Sequence, residues 1–205
     1  RALPAETPAR PRFVPPKPRQ VAETAVVVGP PGQEIHTDEH GRVQVQFHWD
    51  LEGRRDEKSS CYLRVAHAWA DAGWGAQFIP RVGSEVVVTF LGGDLDRPLV
   101  TGCVYNATHP HPFQVPESKT RSGIRTRSTP FGEGSNEISF DDALGHEDFY
   151  VHAQHDYREV VLHDRTSRID RHSATEIAGQ STSFVGGSAS SRIGADETTE
   201  VGRDE

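Results

Sequence analysis

Five aliphatic residues near the C-terminus recur at intervals of eight, and this period limits the possible folds more than any other feature. They are Ile169, Ile177, Val185, Ile193 and Val201. A hydroxyl residue lies two positions before each: Ser167, Thr175, Ser183, Ser191 and Thr199. A period of eight fits neither an α-helix nor a coiled coil, and Ser, Thr and Gly are poor in helix interiors. Because strand positions an even number of residues apart share a face, the pattern predicts strands with one continuous apolar stripe.

One octad is too short to enclose a core. It spans roughly 26 Å when extended, and we expect corners at Gly179, Gly186, Gly187, Gly194 and Gly202 to shorten that span. Two arrangements bury the stripe: three octads of one chain form a coil, or three chains each supply one side of a layer. A flexible Gly/Ser linker is disfavoured, because linkers do not keep β-branched residues in register.

Residues 25–105 have a different sequence pattern, with five short runs rich in β-branched and aromatic residues. The runs are TAVVVG, RVQVQFHW, CYLRVA, EVVVTFL and PLVTGCVY. Turn sequences separate them, which predicts a small antiparallel barrel of the five-stranded OB type. The predicted core is Val43, Val45, Phe47, Trp49, Val86, Val88 and Phe90. Alternation then directs Gln44, Gln46 and His48 outward or toward a neighbouring copy.

Pro-rich and Gly-rich stretches divide the chain into four parts. Residues 1–22, with six prolines in the first 20 residues, read as an extended linker. Residues 23–106 form the predicted OB domain, and 107–135 a second linker. Residues 136–205 resume strand alternation and run into the octads.

The overall composition excludes several classes. The net charge of −8 argues against nucleic-acid binding, which depends on cationic contacts to phosphate. No run approaches the roughly 20 apolar residues of a membrane helix, and no signal peptide is apparent. Cys61 and Cys103 are the only cysteines and are expected to be ordinary, mostly buried thiols. The absence of methionine and the start at Arg1 suggest a piece of a longer protein.

The string HTDEH at His36–His40 matches the His-x-x-Glu-His spelling of inverted zinc peptidases. That motif needs a helix to bring both histidines toward one metal ion. Gly41 and a predicted strand follow at once, so we predict a turn whose histidines diverge into solvent. The sequence therefore predicts no catalytic residue, cofactor or metal site, and the alternative of a hydrolase at His36, Glu39 and His40 would require bound zinc.

Trp69, Trp74 and Phe78 lie in the longest connection of the predicted barrel. Aromatic side chains on OB barrels can stack on bases or sugars, which would make this a nucleic-acid or glycan binding module. No basic groove accompanies them, so packing of a lid on the barrel is favoured.

A β-barrel followed by a Val/Ile-Gly octad segment resembles the spike proteins of the type VI secretion system, the VgrG family. The strings EIHTDEHGRVQVQFHWD, GWGAQFIPRVGSEVVVTFLGGDLDRPLVTGCVYN, SGIRTRS and NEISFDD are similar to the family's pattern in the same order. The resemblance implies an all-β chain: a gp5-like OB domain, then a parallel trimeric β-helix in which three chains form a triangular prism. Gly179 and Gly187 each lie two residues after an aliphatic residue of the octad column. Arg171 and Ala195 occupy the equivalent positions in their octads, which affects the expected corner geometry.

The same resemblance implies a mechanical, non-catalytic role. The family's spike caps the Hcp tube and carries a PAAR tip or effectors into target cells, contacting the target membrane transiently. It implies a homotrimer, made in the bacterial cytoplasm and then secreted by the type VI system into the medium or a target cell. Some family members carry a fused effector enzyme beyond the segment that corresponds to residue 205.

Overall fold

The computed structural model describes residues 21–202, and all of its regular elements but one are β-strands. The ten strands are β1 (Ala22–Val28), β2 (Gln44–Phe47), β3 (Arg64–Val65), β4 (Ala70–Asp71), β5 (Trp74–Gly75), β6 (Glu85–Phe90), β7 (Pro98–Val104), β8 (Arg121–Arg125), β9 (Glu137–Asp141) and β10 (Asp148–His152). A 3-10 turn covers Leu91–Gly93. The all-β prediction is confirmed. Residues 1–20 of the linker predicted for residues 1–22 lie outside the described residues, and Ala22 already belongs to β1.

Each of the five predicted runs overlaps one strand of a curled five-stranded sheet. The strand order is β2-β1-β6-β7-β3, antiparallel except for the parallel pair of β3 and β7. The two edges meet at one antiparallel bridge, where the Val43 N–H donates to the Leu63 oxygen at 3.0 Å and the Leu63 N–H to the Val43 oxygen at 2.7 Å. This bridge closes the sheet in the manner of an OB barrel, in which closure protects the strand edges.

Alternate residues of the paired strands fill the barrel interior. Val43, Val45, Val86 and Val88 are fully buried, and Phe90 lies beside them at 5% exposure. Phe47 is half-buried and packs against this cluster. Full burial of each aliphatic side chain contributes roughly 1.5–3 kcal/mol, so the core stabilises the barrel within one chain.

The prediction that Trp49 belongs to this core is wrong. Strand β2 ends at Phe47, and the Asp50 N–H donates to the Phe47 oxygen at 3.1 Å in a turn. The alternation therefore stops before Trp49, whose side chain is 65% exposed and whose ring stacks on Phe47 at 5.2 Å.

Gln44 and Gln46 face outward from the barrel, as expected, but the chain itself buries both there. The loop of residues 50–60 covers them. Gln44 Nε2 donates to the carbonyl oxygens of Glu57 and Ser60, and Gln46 Oε1 accepts the Arg55 N–H at 2.6 Å. Buried amides must be hydrogen-bonded, so these two side chains hold the loop in place, while His48 is exposed as predicted.

The expectation of mostly buried cysteines is wrong, because Cys61 and Cys103 are both exposed free thiols. Cys61 lies just before β3, and Cys103 is near the end of β7. Cys103 lies opposite the buried Val86 in the register of β6 and β7, so strand alternation alone does not predict its exposure.

The linker predicted for residues 107–135 contains a strand. Strand β8 pairs with β9, and β9 pairs with β10, in an antiparallel three-stranded sheet. Gly123 lies opposite Ser139 in this sheet, and a Cβ added at Gly123 would clash with the Ile138 carbonyl oxygen. The basic and turn residues of the segment obscure a strand that only the pairing with β9 reveals.

The described residues divide into two units, 21–157 and 158–202. The first unit contains all ten strands. In the second, described to Gly202, every residue is exposed and none belongs to a strand.

Replacing Gly123 by Ala should destabilise the three-stranded sheet. The new methyl group would meet the β9 backbone, and overpacking of this kind costs about 1–3 kcal/mol. Gly102→Ala is the matched control, because Gly102 also lies in a strand and a Cβ there meets no atom within 4 Å. Thermal unfolding followed by circular dichroism would check this, and equal midpoints for the two variants would contradict it.

Candidate functional site

The backbone bends of the C-terminal segment follow the octad period. Bends occur at residues 154–155, 162–163, 170–171, 178–179, 186–187 and 194–195. Each bend comes directly after a residue of one column, which continues Ile169 and Ile177 backward to Val161 and Ala153. The structure therefore divides this segment into straight runs of about six residues joined by two-residue bends.

The glycines predicted as corners lie at these bends, with one exception. Gly179, Gly186, Gly187 and Gly194 belong to bends, whereas Gly202 is the last described residue and no bend is assigned to it. None of the five has a positive φ, and only Gly186 would place a Cβ within 4 Å of another atom. Three bends contain no glycine, including the one at residues 170–171. Backbone conformation therefore does not require glycine here, and Arg171 and Ala195 are compatible with the bends.

The apolar column is half-exposed in the single chain. Ile177 is 53% exposed, Val185 54% and Ile193 46%, whereas the neighbouring Phe184 is 92% exposed. Ile169 at 57% is similar, and Val201 at 84% is more open. Five large aliphatic side chains in phase thus lack a covering surface within residues 158–202.

The described part of the second unit also contains no strand pairing. A single-chain coil would bring successive octads side by side and join them by a parallel ladder. No such ladder occurs within residues 158–202. Of the two arrangements left open by the period, this absence favours the one in which neighbouring strands come from other chains.

Glu34 connects the segment that follows the barrel, around residues 129–131, to the barrel through hydrogen bonds. Its carboxylate accepts hydrogen bonds from Thr129 Oγ1 at 2.7 Å and from the Phe131 N–H at 2.8 Å. Nearby, Arg81 Nη2 donates to the Arg127 oxygen at 2.7 Å. The hydrogen bond from Thr129, followed by that from Phe131, lowers the pKa of Glu34 below its ordinary value.

Residues 38–41 (DEHG), at the end of the HTDEH string, form a turn, as predicted. Asp38 Oδ1 accepts the N–H groups of His40 and Arg42, each at 3.0 Å, and Gly41 has a φ of 69°. Desolvation opposes the charge on Asp38, but these bonds and the Arg42 side chain outweigh it and lower the pKa of Asp38.

The prediction that both histidines of this string diverge into solvent is wrong for His36. Its ring is half-buried, and its Nε2 lies 3.0 Å from Tyr62 Oη and 3.2 Å from Gln44 Oε1. His36 thus belongs to the polar layer over β2, and His40 is exposed. Among residues 21–202, no group of three His, Cys, Asp or Glu side chains could hold a metal ion.

The aromatic residues of the longest barrel connection do not pack on the core. Trp69, Trp74 and Phe78 are 62%, 55% and 59% exposed. Strands β4 and β5 form a small hairpin, on which the two tryptophan rings meet edge to face at 5.0 Å. The prediction that these rings pack on the barrel as a lid is wrong. Ile79, at the end of the connection, packs against the core instead.

Comparison with protein families identifies both halves of this architecture. Residues 25–105 match the type VI secretion system/phage-baseplate injector OB domain. Residues 122–205 match the bacteriophage T4 gp5 C-terminal trimerisation domain. An OB barrel followed by such a segment defines a spike of the phage-baseplate class.

Relatives in Pseudomonas aeruginosa narrow this class. The type VI secretion system spike protein VgrG4b is 53% identical over 178 residues, which cover 85% of this chain and 22% of VgrG4b. The spike protein VgrG5 is 48% identical over 170 residues, covering 82% of this chain and 22% of VgrG5. The chain belongs to the VgrG family of type VI secretion spike proteins. It spans about a fifth of the length of the curated relatives it matches.

Sequence reasoning misses two parts of the trimerisation segment. The family match begins at residue 122, within the predicted linker, and the octad phase begins before Ile169. The signal for the earlier phase is present, because Val161 lies eight residues before Ile169. No helix between residues 21 and 202 has the length and apolar character needed to cross a bilayer.

Removing the charge of Glu34 should weaken the attachment of residues 127–134 to the barrel in a pH-dependent manner. Because the folded-state pKa lies below the unfolded value of about 4.3, the carboxylate stabilises the fold fully above that pH. The stabilisation is lost as the pH falls through the folded-state pKa. Glu34→Gln should therefore be less stable than the parent at about pH 6, and the difference should shrink toward about pH 3.

Limited proteolysis between residues 110 and 135, followed over this pH range, would measure the effect. Glu52→Gln, on the exposed loop over β2, is the matched control. A difference between Glu34→Gln and the parent that stays constant with pH would show that the charge of Glu34 does not hold this attachment.

Proposed function

We propose that this chain is the OB domain and the start of the shaft of a trimeric, membrane-puncturing type VI secretion spike. The observation that carries the proposal is the octad column, with bends in phase and no partner strand within residues 158–202. A chain that exposes a periodic apolar stripe needs other copies to bury it. Cyclic symmetry of three chains brings identical residues of a layer together on one axis, and the trimerisation-family match supports this arrangement.

In this arrangement the column Ile169, Ile177, Val185, Ile193 and Val201 lies on the three-fold axis. Each layer contributes three aliphatic side chains, and stacked layers form an apolar filament. The backbone groups of each octad pair with the neighbouring chains, and the Ser/Thr columns hydrogen-bond between layers. The three chains therefore lose their pairing together, which suits a narrow shaft under mechanical load.

The role is mechanical rather than catalytic. The spike caps the Hcp tube and carries a PAAR-type tip or an effector ahead of it, so its contact with the target membrane is transient. The family resemblance supports these partners, and the names of the relatives support secretion by the type VI system. The protein is made in the bacterial cytoplasm and leaves the cell with the secreted tube.

Val185→Asp should abolish the trimer or remove its resistance to heat. The substitution places three carboxylates together on the axis, and unpaired buried charges either take up protons or disrupt the packing. Phe184→Asp is the matched control, because the adjacent Phe184 is 92% exposed and points to the opposite face of an extended strand. Light scattering gives the mass of each variant, and gel mobility before and after heating gives its resistance.

The proposal requires the two variants to differ. If Val185→Asp remained as trimeric and as heat-resistant as the parent, the column would not lie on the axis. Equal loss of the trimer in both variants would show that any charge in this octad disrupts assembly, and would also contradict the assignment of the axis.

A further inference from the structure

The hairpin of β4 and β5 holds two tryptophan rings and a carboxylate on one face. Asp71 lies directly opposite Trp74 in the strand register, and cross-strand partners share a face. Trp69 precedes Asp71 by two residues, and its ring centre lies 5.0 Å from that of Trp74 at an interplanar angle of 83°. The two rings therefore form a corner with the Asp71 side chain beside it. We call Trp69, Asp71 and Trp74 the indole corner.

The indole corner is open to solvent in the described chain. Both of its rings are more than half exposed, and so is the ring of Phe78, which follows β5. The other residues between Trp69 and Gln77 are small, namely Ala70, Ala72, Gly73, Gly75 and Ala76, so the hairpin itself does not cover the rings. Burying an aromatic ring is strongly favourable, and exposed aromatic surfaces of this kind mark interaction sites.

Backbone contacts fix the indole corner in the absence of a ligand. The Ala76 N–H donates to the Trp69 oxygen at 2.9 Å. A Cβ added at Gly75 would lie 2.5 Å from the same oxygen, so the two strands can approach this closely only with glycine there. At the base of the hairpin, the Phe78 N–H donates to His67 Nδ1 at 3.4 Å. A surface that is already formed loses less conformational entropy on binding.

The charges around the indole corner determine which class of ligand fits it. Residues 66–80 contain one carboxylate, Asp71, and no Lys or Arg. Nucleic acids and other polyanions need cationic contacts, so they do not fit. A purely apolar partner, such as the interior of a lipid layer, would bury the Asp71 charge without a hydrogen-bond donor, which is costly. The ligand that fits presents an apolar face and hydroxyl donors together.

We propose that the indole corner binds a neutral, β-1,4-linked saccharide of the glucose type. Equatorial substituents leave such a sugar ring with a flat face of C–H bonds, which stacks on the electron-rich face of an indole. The hydroxyl groups at the edge of the sugar ring donate to Asp71. Asp71 Oδ1 accepts the Ala72 N–H at 2.7 Å, and a carboxylate has acceptor sites for further donors. This binding activity goes beyond the proposed spike function and does not depend on the trimer.

Calorimetric titration of the full chain with two neutral hexasaccharides, those of β-1,4-linked N-acetylglucosamine and of β-1,4-linked glucose, tests the proposal. The parent should bind at least one of them, with an affinity that is the same at low and high salt because no ion pair forms. Trp74→Ala should weaken this binding about tenfold or more, because it removes a stacking ring. Trp49→Ala is the matched control and should bind as the parent does, because Trp49 is also exposed but stacks on Phe47, outside the hairpin.

Two further variants separate stacking from hydrogen bonding and from loss of the fold. Trp74→Phe keeps a ring and should recover most of the affinity that Trp74→Ala loses. Asp71→Asn should weaken binding several-fold, because a hydrogen bond to a charged acceptor is roughly twice as strong as a neutral one. Thermal midpoints from circular dichroism should be equal for the parent and all variants, since these side chains are exposed. Parental affinity in Asp71→Asn would contradict the role of the carboxylate.

Other occupants of the indole corner would give different results. If the parent bound neither hexasaccharide, or if Trp49→Ala lost binding as Trp74→Ala does, the proposal would be wrong. Binding to phosphatidylcholine vesicles that Trp74→Ala abolishes, without saccharide binding, would assign the corner to a lipid surface. A lower mass of Trp74→Ala in light scattering, again without saccharide binding, would assign it to contact between copies. A monomeric parent that binds a hexasaccharide would contradict the proposed trimer and leave this inference standing.

Discussion

An extended backbone requires hydrogen-bond partners, and the rest of this structure depends on where those partners are found. Each residue of a straight run presents an N–H and a C=O that water or another strand must satisfy, and residues 158–202 supply no strand for one another. Their side chains add a second unmet need, because one aliphatic residue in each octad is half-exposed. In the proposed trimer, neighbouring chains would meet both needs, because they would pair with the backbone and cover the column at once.

The barrel illustrates the opposite case. Its five strands satisfy one another, and the bridge between Val43 and Leu63 joins the two edges. Its core of valines is fully buried, and Gln44 and Gln46 fasten the outer loop through buried hydrogen bonds. One chain therefore contains a self-sufficient domain followed by a segment whose interactions are incomplete. In the proposed trimer, the second would join the chains.

The three-stranded sheet is intermediate between these cases. Its backbone pairs within the chain, and on one side Arg121, Glu137 and Ser139 form a hydrogen-bonded cluster. The other side resembles the octads, since its apolar residues have no cover in the described chain. Within the described residues, internal pairing thus decreases along the sequence, from a closed barrel, through a three-stranded sheet, to a segment without strand pairing. Glu34 and Arg81 connect the first two through hydrogen bonds to residues 127–131.

The sequence alone determined the features that depend on local periodicity. The five barrel strands, the buried alternation of Val43 and Val45, and the octad column are repeats of two and eight, and strand geometry converts such repeats directly into faces.

The tertiary structure decided the features that depend on contacts distant in sequence. Trp49 lies outside the core because a turn ends the strand alternation before it. Gln44 and Gln46 are buried because a loop covers them. Strand β8 formed within a predicted linker because β9 pairs with it, and the exposure of the apolar side chains of that sheet is a property of the folded chain. Periodicity specifies which residues share a face, but what covers a face depends on chain segments that the local sequence does not encode.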